Sequence, residues 1–183
     1  ACEERIQNRF PDFQIHRAFT SNVVIKRIKE NEGITVPTVN QLLEQLKKDG
    51  VKEVYIQPLH VILGSEYEKV LHQANQLKHE FDILKIGKPL LFSEEDYENV
   101  ANILVKEYNN NDVEEATILM GHGSQHYAFT AYAALDHMLM ETPVYIGCVE
   151  SYPPVEDLEK RLEAKGVKKV HLAPFMLVAG DHA

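Results

Sequence analysis

The sequence predicts an α/β protein of the doubly wound type, and three observations carry that prediction. Apolar runs such as ATILM (116–120) and VYIGCV (144–149) are continuous rather than alternating, as strands covered by helices on both faces are. Stretches with a leucine or valine face at helical spacing separate those runs. A helix, glycine, strand, proline unit also occurs twice, which fits a chain wound back and forth over parallel sheets.

The elements follow in order. Residues 1–10 have helical composition, and FQIHRAF predicts a strand over 13–19 by its period of two. Helices are expected over 21–31 and 38–49, the latter closed by Gly50 where the chain must turn left-handed. A strand over 52–58 ends at Pro58, which cannot donate to a ladder. A helix over 65–80, a short strand over 82–86 and a helix over 93–108 follow. The polar stretch YNNNDVEE (108–115) leads into a strand, helix, strand, helix, strand series over 116–178.

Laying VNQLLEQLKKDGVKEVYIQPLHVILG (39–64) over VEDLEKRLEAKGVKKVHLAPFMLVAG (155–180) gives nine identities without a gap, including Gly50/Gly166, Pro58/Pro174 and Gly64/Gly180. HRAFTS precedes the first copy as GCVES precedes the second, so Thr20 stands where Glu150 stands and Glu66 where His182 stands. The duplication predicts two similar α/β lobes, residues 1–92 and 93–183, related by a pseudo-two-fold axis across a cleft. Open α/β sheets bind ligands at their strand carboxyl ends, so those ends should line the cleft. The second half opens with TILMGHGS, which has no counterpart in the first, and AGDHA stops directly after a strand. The sequence therefore reads as a fragment, lacking a strand and a loop at its start.

With 44% hydrophobic residues and a formal charge of −9, the chain has the composition of a globular protein without a basic stripe for nucleic acid or an anionic membrane. Cys2 and Cys148 have no metal-ligand spacing and form no disulfide framework, so a reducing, cytoplasmic setting is expected. No run approaches the roughly 18 residues of a membrane span. No signal peptide is visible, although one could have preceded a fragment.

His122, Glu150 and His182 each lie just past a predicted strand. Two right-handed crossovers would put the strand before GHGS between the other two, so one side chain from each strand end would converge. Two imidazoles and a carboxylate suit a borderline divalent metal, and imidazole takes up protons near neutral pH. Three ligands leave coordination positions open, as a transfer site requires. Read singly, each has a plainer explanation: GHGS as a turn with amides for an anion, Glu150 as a cap, His182 as a surface histidine. His60 is expected to face the cleft from the first lobe, and His126 to orient the ligands from behind. His72 and His79 read as solvated, and His16 and His171 as strand residues. Asp136 and His137, adjacent in a helix, point apart. Ser124 is not a nucleophile elbow, since GHGSQ is not GxSxG, and neither nucleotide fingerprint occurs.

MGHGSQHYAFTAYAALDHM, GCVESYP and PFMLVAGDHA together resemble the anaerobic cobalt chelatases of cobalamin biosynthesis, among the class II chelatases. ACEERI, HRAFTS, QPLHVILGSEYEKV and LLFSEEDY extend the resemblance over essentially the whole chain. It implies two flavodoxin-like lobes around a cleft and insertion of Co²⁺ into sirohydrochlorin or precorrin-2 without a nucleotide. Ni²⁺, Fe²⁺ or Zn²⁺ are alternative metals in vitro. The family's metal site falls on His122, Glu150 and His182, with His122 and His182 as the catalytic pair and His122 as proton acceptor. Thr20, Ser21, His60 and Gly123 are then candidates for holding the substrate's carboxylates. A homo-oligomer is expected. The competing reading is a two-lobed module that binds a metal or tetrapyrrole without catalysis.

Overall fold

The computed structural model describes residues 2–109 and 112–177. Its helices are α1 (Cys2–Arg9), α2 (Asn22–Glu32), α3 (Val39–Lys48), α4 (Ser65–Leu77), α5 (Glu94–Tyr108), α6 (Thr130–Met138) and α7 (Val155–Ala164). Its strands are β1 (Glu53–Ile56), β2 (Ile83–Ile86), β3 (Glu115–Gly121), β4 (Val144–Cys148) and β5 (Lys169–Pro174). This is the α/β class the sequence predicts. Two compact units result, one of Ala1–Val54 with His72–Leu84, the other of Tyr55–Leu71 with Lys85–Ala183. No helix among the described residues is long and apolar enough to cross a membrane.

In the first unit, local sequence signals set the helix ends. Ser21 caps α2 by accepting the Val24 N–H at 3.4 Å. Thr38 and Gln41 form a reciprocal capping box at α3, satisfying two backbone donors that a helix start leaves open. Val39, Leu43 and Leu46 form the buried face of α3. The strand expected over 13–19 is absent. Its alternation is real, but a strand persists only where a neighbour takes up its backbone groups, and Phe19 alone finds one, through a single bridge to Thr38. His16 accordingly lies in irregular, exposed chain.

The duplicated helix-to-strand unit closes in the same way twice. At the end of α3, Gly50 N–H donates to Lys47 O at 3.1 Å and Val51 N–H to Leu46 O at 3.0 Å. At the end of α7, Gly166 N–H donates to Glu163 O at 3.0 Å and Val167 N–H to Leu162 O at 3.1 Å. Both glycines are left-handed, with φ of +76° and +74°. The identities in the sequence therefore mark one structural device used at both places.

The second unit contains a three-stranded parallel sheet in the order β4-β3-β5. That is the order two right-handed crossovers require, and it puts the strand ending in GHG at the centre. On one face, Leu119, Val144 and Ile146 pack with Leu104 of α5 and Leu135 of α6. On the other, Leu158 and Leu162 of α7 cover Ile118 and Tyr145. Leu158 is fully buried, a contribution of about 1.5–3 kcal/mol.

β4 is an edge strand whose outward N–H groups are all occupied. Val144 N–H donates to Thr142 Oγ1 at 3.2 Å, Ile146 N–H to Asp136 Oδ1 at 3.1 Å and Cys148 N–H to Pro153 O at 2.8 Å. Such covering keeps the edge from pairing with another chain. Asp136 is buried on α6 and also accepts from Arg161 Nη1 at 2.6 Å, joining α6, β4 and α7. Removing it would strand a buried N–H. Asp136→Ala is expected to lower the unfolding free energy by about 2–3 kcal/mol, read as a shift in the urea midpoint. A midpoint equal to wild type would show that the strut carries no load. Burial, with Asp136's charge adding to it, pushes the Cys148 thiol up to about 12, so this side chain is packing material and no nucleophile.

Candidate functional site

The residues around the carboxyl ends of β3 and β4 lie within the second unit. Beyond the last paired residues of β3 and β4, Gly121 and Cys148, the two chains stay in contact. Val149 N–H donates to Gly121 O at 3.0 Å and Glu150 N–H to His122 O at 2.9 Å. Two residues 28 positions apart in the sequence, His122 and Glu150, thus sit at one sheet edge, both exposed. Ser151 next turns the chain left-handed at φ +75°, a conformation costing a non-glycine residue about 1–2 kcal/mol.

Gly123 explains the glycine that follows His122. It is buried, with φ +85°, and a methyl group on it would lie 1.4 Å from the Glu150 carbonyl oxygen. Gly121 has a different reason: a methyl group there would meet the Tyr132 ring at 2.5 Å. Tyr132, from α6, is buried beneath both glycines, with its phenol against the Gly123 backbone. Burial pushes that phenol up to about 12, so it stays protonated.

His122 Nδ1 lies 3.2 Å from Gly123 O. A carbonyl can only accept, so Nδ1 carries the hydrogen and Nε2 the lone pair. This is the tautomer that ligates a cation or takes up a proton through Nε2.

The segment after β1 borders the same loop. His60 O and Val61 O accept from Leu90 and Leu91 N–H at 2.9 and 2.8 Å, and Gly64 lies beside Ser124. The Nδ1 of His60 is buried with no hydrogen-bond partner among the described residues. Burial holds the His60 pKa below the ordinary imidazole value, with Glu66's charge opposing the shift. As pH falls below about 6.5, the unfolded chain takes up this proton before the folded one does, so stability rises with pH there and is lost on acidification. His60→Gln is expected to flatten that slope. Urea midpoints between pH 5.5 and 7.5 would show it, and an unchanged slope would place the acid sensitivity elsewhere.

His126, expected behind the ligands, has two specific partners. Its Nδ1 accepts the Ala128 N–H at 3.2 Å, and its Nε2 lies 3.2 Å from Glu68 Oε1. Thr20 and Ser21 belong to the other unit, where Ser21 Oγ is the cap of α2. His182 lies outside the described residues. Among those described, no group of three His, Cys, Asp or Glu side chains is placed to hold a metal. His72 and His79 are exposed, and His171, on the edge strand β5, lies 2.8 Å from Glu115 Oε2. Sequence reasoning missed Glu68, Tyr127 and Tyr132. Tyr132 is the one a sequence signal could have found, as the large residue of a helix otherwise small where it faces a glycine-rich strand end.

The family model for the cobalt chelatase CbiK matches residues 1–183. The sirohydrochlorin cobaltochelatase of Salmonella typhimurium is 43% identical over 185 residues, covering 100% of this chain and 70% of that protein. The sirohydrochlorin cobaltochelatase CbiKC of Nitratidesulfovibrio vulgaris is 30% identical over 186 residues, covering 99% of this chain and 66% of the relative. Among solved structures, SirB from Bacillus subtilis with Fe³⁺ superposes with a TM-score of 0.51 at 17% identity, over 88% of this chain and 74% of that one. That likeness concerns the fold. With the model matched from end to end, the chain belongs to the CbiK family of cobalt chelatases.

Proposed function

We propose that this chain inserts Co²⁺ into sirohydrochlorin, or its reduced precursor precorrin-2, in anaerobic cobalamin biosynthesis. Family membership supports the chemistry, and the Glu150 N–H to His122 carbonyl bond at 2.9 Å is the observation that carries the site. That bond joins the backbones of His122 and Glu150 just beyond their strand ends, in a protein family that handles cobalt.

The macrocycle must lose two N–H protons as the metal enters, and the metal must shed water. His122 Nε2, with its lone pair fixed by the Nδ1 bond to Gly123 O, suits both tasks: it ligates the arriving cation and accepts a proton as the metal moves on. Glu150 balances the cation's charge. His182 is the second imidazole of the reading, and with three ligands the ion is held loosely enough for the macrocycle's four nitrogens to win it. Ni²⁺ and Zn²⁺ bind such donors at least as well as Co²⁺, so the choice of metal rests partly on supply. His60, Gly123, Thr20 and Ser21 are the candidates for contacting the substrate's carboxylates, with His126 behind the metal ligands. A cytoplasmic setting, independence from nucleotides, a homo-oligomeric assembly and the division into lobes at residue 92 belong to the same proposal.

The test is direct. Mixed anaerobically with sirohydrochlorin and Co²⁺, the protein should convert the pigment's absorption spectrum to that of the cobalt complex faster than the protein-free control. Conversion at the control rate, with pigment bound, would leave a binding module instead.

A further inference from the structure

We propose that Glu68 is a positioning residue for the loop that carries His122: its carboxylate takes a hydrogen bond from the Tyr127 hydroxyl, with the His126 ring nitrogen in polar contact beside it, and so holds that loop in place. This rests on the reading of His122 given above.

Both contacts converge on one atom. His126 Nε2 and the Tyr127 hydroxyl each lie 3.2 Å from Glu68 Oε1. Nδ1 receives the Ala128 N–H, which fixes the ring and leaves Nε2 as the nitrogen nearer the carboxylate. The carboxylate in turn raises the Tyr127 phenol's pKa, which keeps that group a donor. The two rings lie 3.9 Å apart, centroid to centroid, and Ser124 Oγ takes the His126 N–H at 3.0 Å. A continuous path of short contacts therefore runs from α4 to Ser124, two residues from His122.

Tyr127 is 75% exposed, so burial does not hold its ring. The hydrogen bond to Glu68 and the contact with His126 do. Glu66, two positions earlier on α4, pairs with Lys69 and acts on His60. Adjacent carboxylates on one helix turn thus serve different neighbours. Because the Glu68 side chain is half exposed, its pairing adds little to global stability, and its effect should appear in loop order and turnover.

Glu68→Ala, Glu68→Gln and the wild-type chain separate this role from a merely structural one. Amide hydrogen exchange over 122–129 should be about tenfold faster in Glu68→Ala, with the rest of the protein unchanged. In the anaerobic assay the same variant should lose about five- to tenfold in kcat, with KM for the tetrapyrrole within about twofold. Glu68→Gln keeps a carbonyl oxygen that accepts the Tyr127 hydroxyl and should recover most of the protection and most of the turnover. Wild-type exchange in Glu68→Ala, or a Gln variant no better than the Ala variant, would overturn the proposal. If the wild-type chain itself inserts no cobalt, the functional reading fails, yet the exchange measurement still decides whether Glu68 holds the loop.

Discussion

Gly123→Ala should be the most damaging single-methyl change in the second unit. The added carbon would lie 1.4 Å from the Glu150 carbonyl oxygen and 2.5 Å from its carbon, both backbone atoms that cannot swing aside as a side chain can. To admit it, the chain over 149–151 must move. That breaks the Glu150 N–H to His122 O bond and shifts the backbone of Glu150 away from that of His122. A left-handed alanine adds its own conformational strain at φ +85°. Strain and overpacking together are expected to lower stability by about 3–5 kcal/mol. Loss of the site's geometry should reduce cobalt insertion by about a hundredfold or more in the protein that still folds. Gly166→Ala is the control. Its φ is +74°, but a methyl group there meets nothing within 4 Å, so it should cost only about 1–2 kcal/mol and leave turnover unchanged. Equal effects at the two glycines would show that backbone conformation, and not the approach of Glu150, explains Gly123.

His122→Ala should act on chemistry and hardly on folding. The side chain is exposed, so the unfolding free energy should stay within about 0.5 kcal/mol of wild type. Insertion should fall by about a thousandfold, within the range lost when a proton acceptor is removed and with a metal ligand lost as well. Pigment binding, which depends on other contacts, should persist and can be followed by absorbance titration. The pairing of outcomes is what matters. Turnover at the wild-type rate would remove His122 from the reaction, and loss of pigment binding would make it a substrate contact instead.

Much of the site was legible because its parts are written locally. GHGS after an apolar run marks His122 at a strand end, and GCVES does the same for Glu150. Crossover handedness then places their strands side by side, as the order β4-β3-β5 bears out. The repeat was legible for the same reason: each copy's helix stop and strand start depend on neighbours a few residues away. Where the reading failed, the missing term was a distant partner. FQIHRAF has the alternation of a strand, but nothing in those seven residues says whether another strand lies alongside. Asp136 was read only as not forming a dyad with His137, whereas its partners, Ile146 N–H and Arg161, lie 10 and 25 residues further on.

What the sequence by itself determined is the α/β class, the positions of most helices and strands, the duplicated helix-to-strand unit and the placing of His122 and Glu150 beyond strand ends. Periodicity, caps and turn residues act over one or two turns of chain, so they can be read along it. The tertiary structure alone decided that the Glu150 carbonyl rests on Gly123, that Asp136 seals the edge of β4 and that Glu68 reaches the loop after β3. Each of these joins elements far apart in the sequence, and which groups meet depends on how helices pack on a sheet, a geometry that no local pattern encodes.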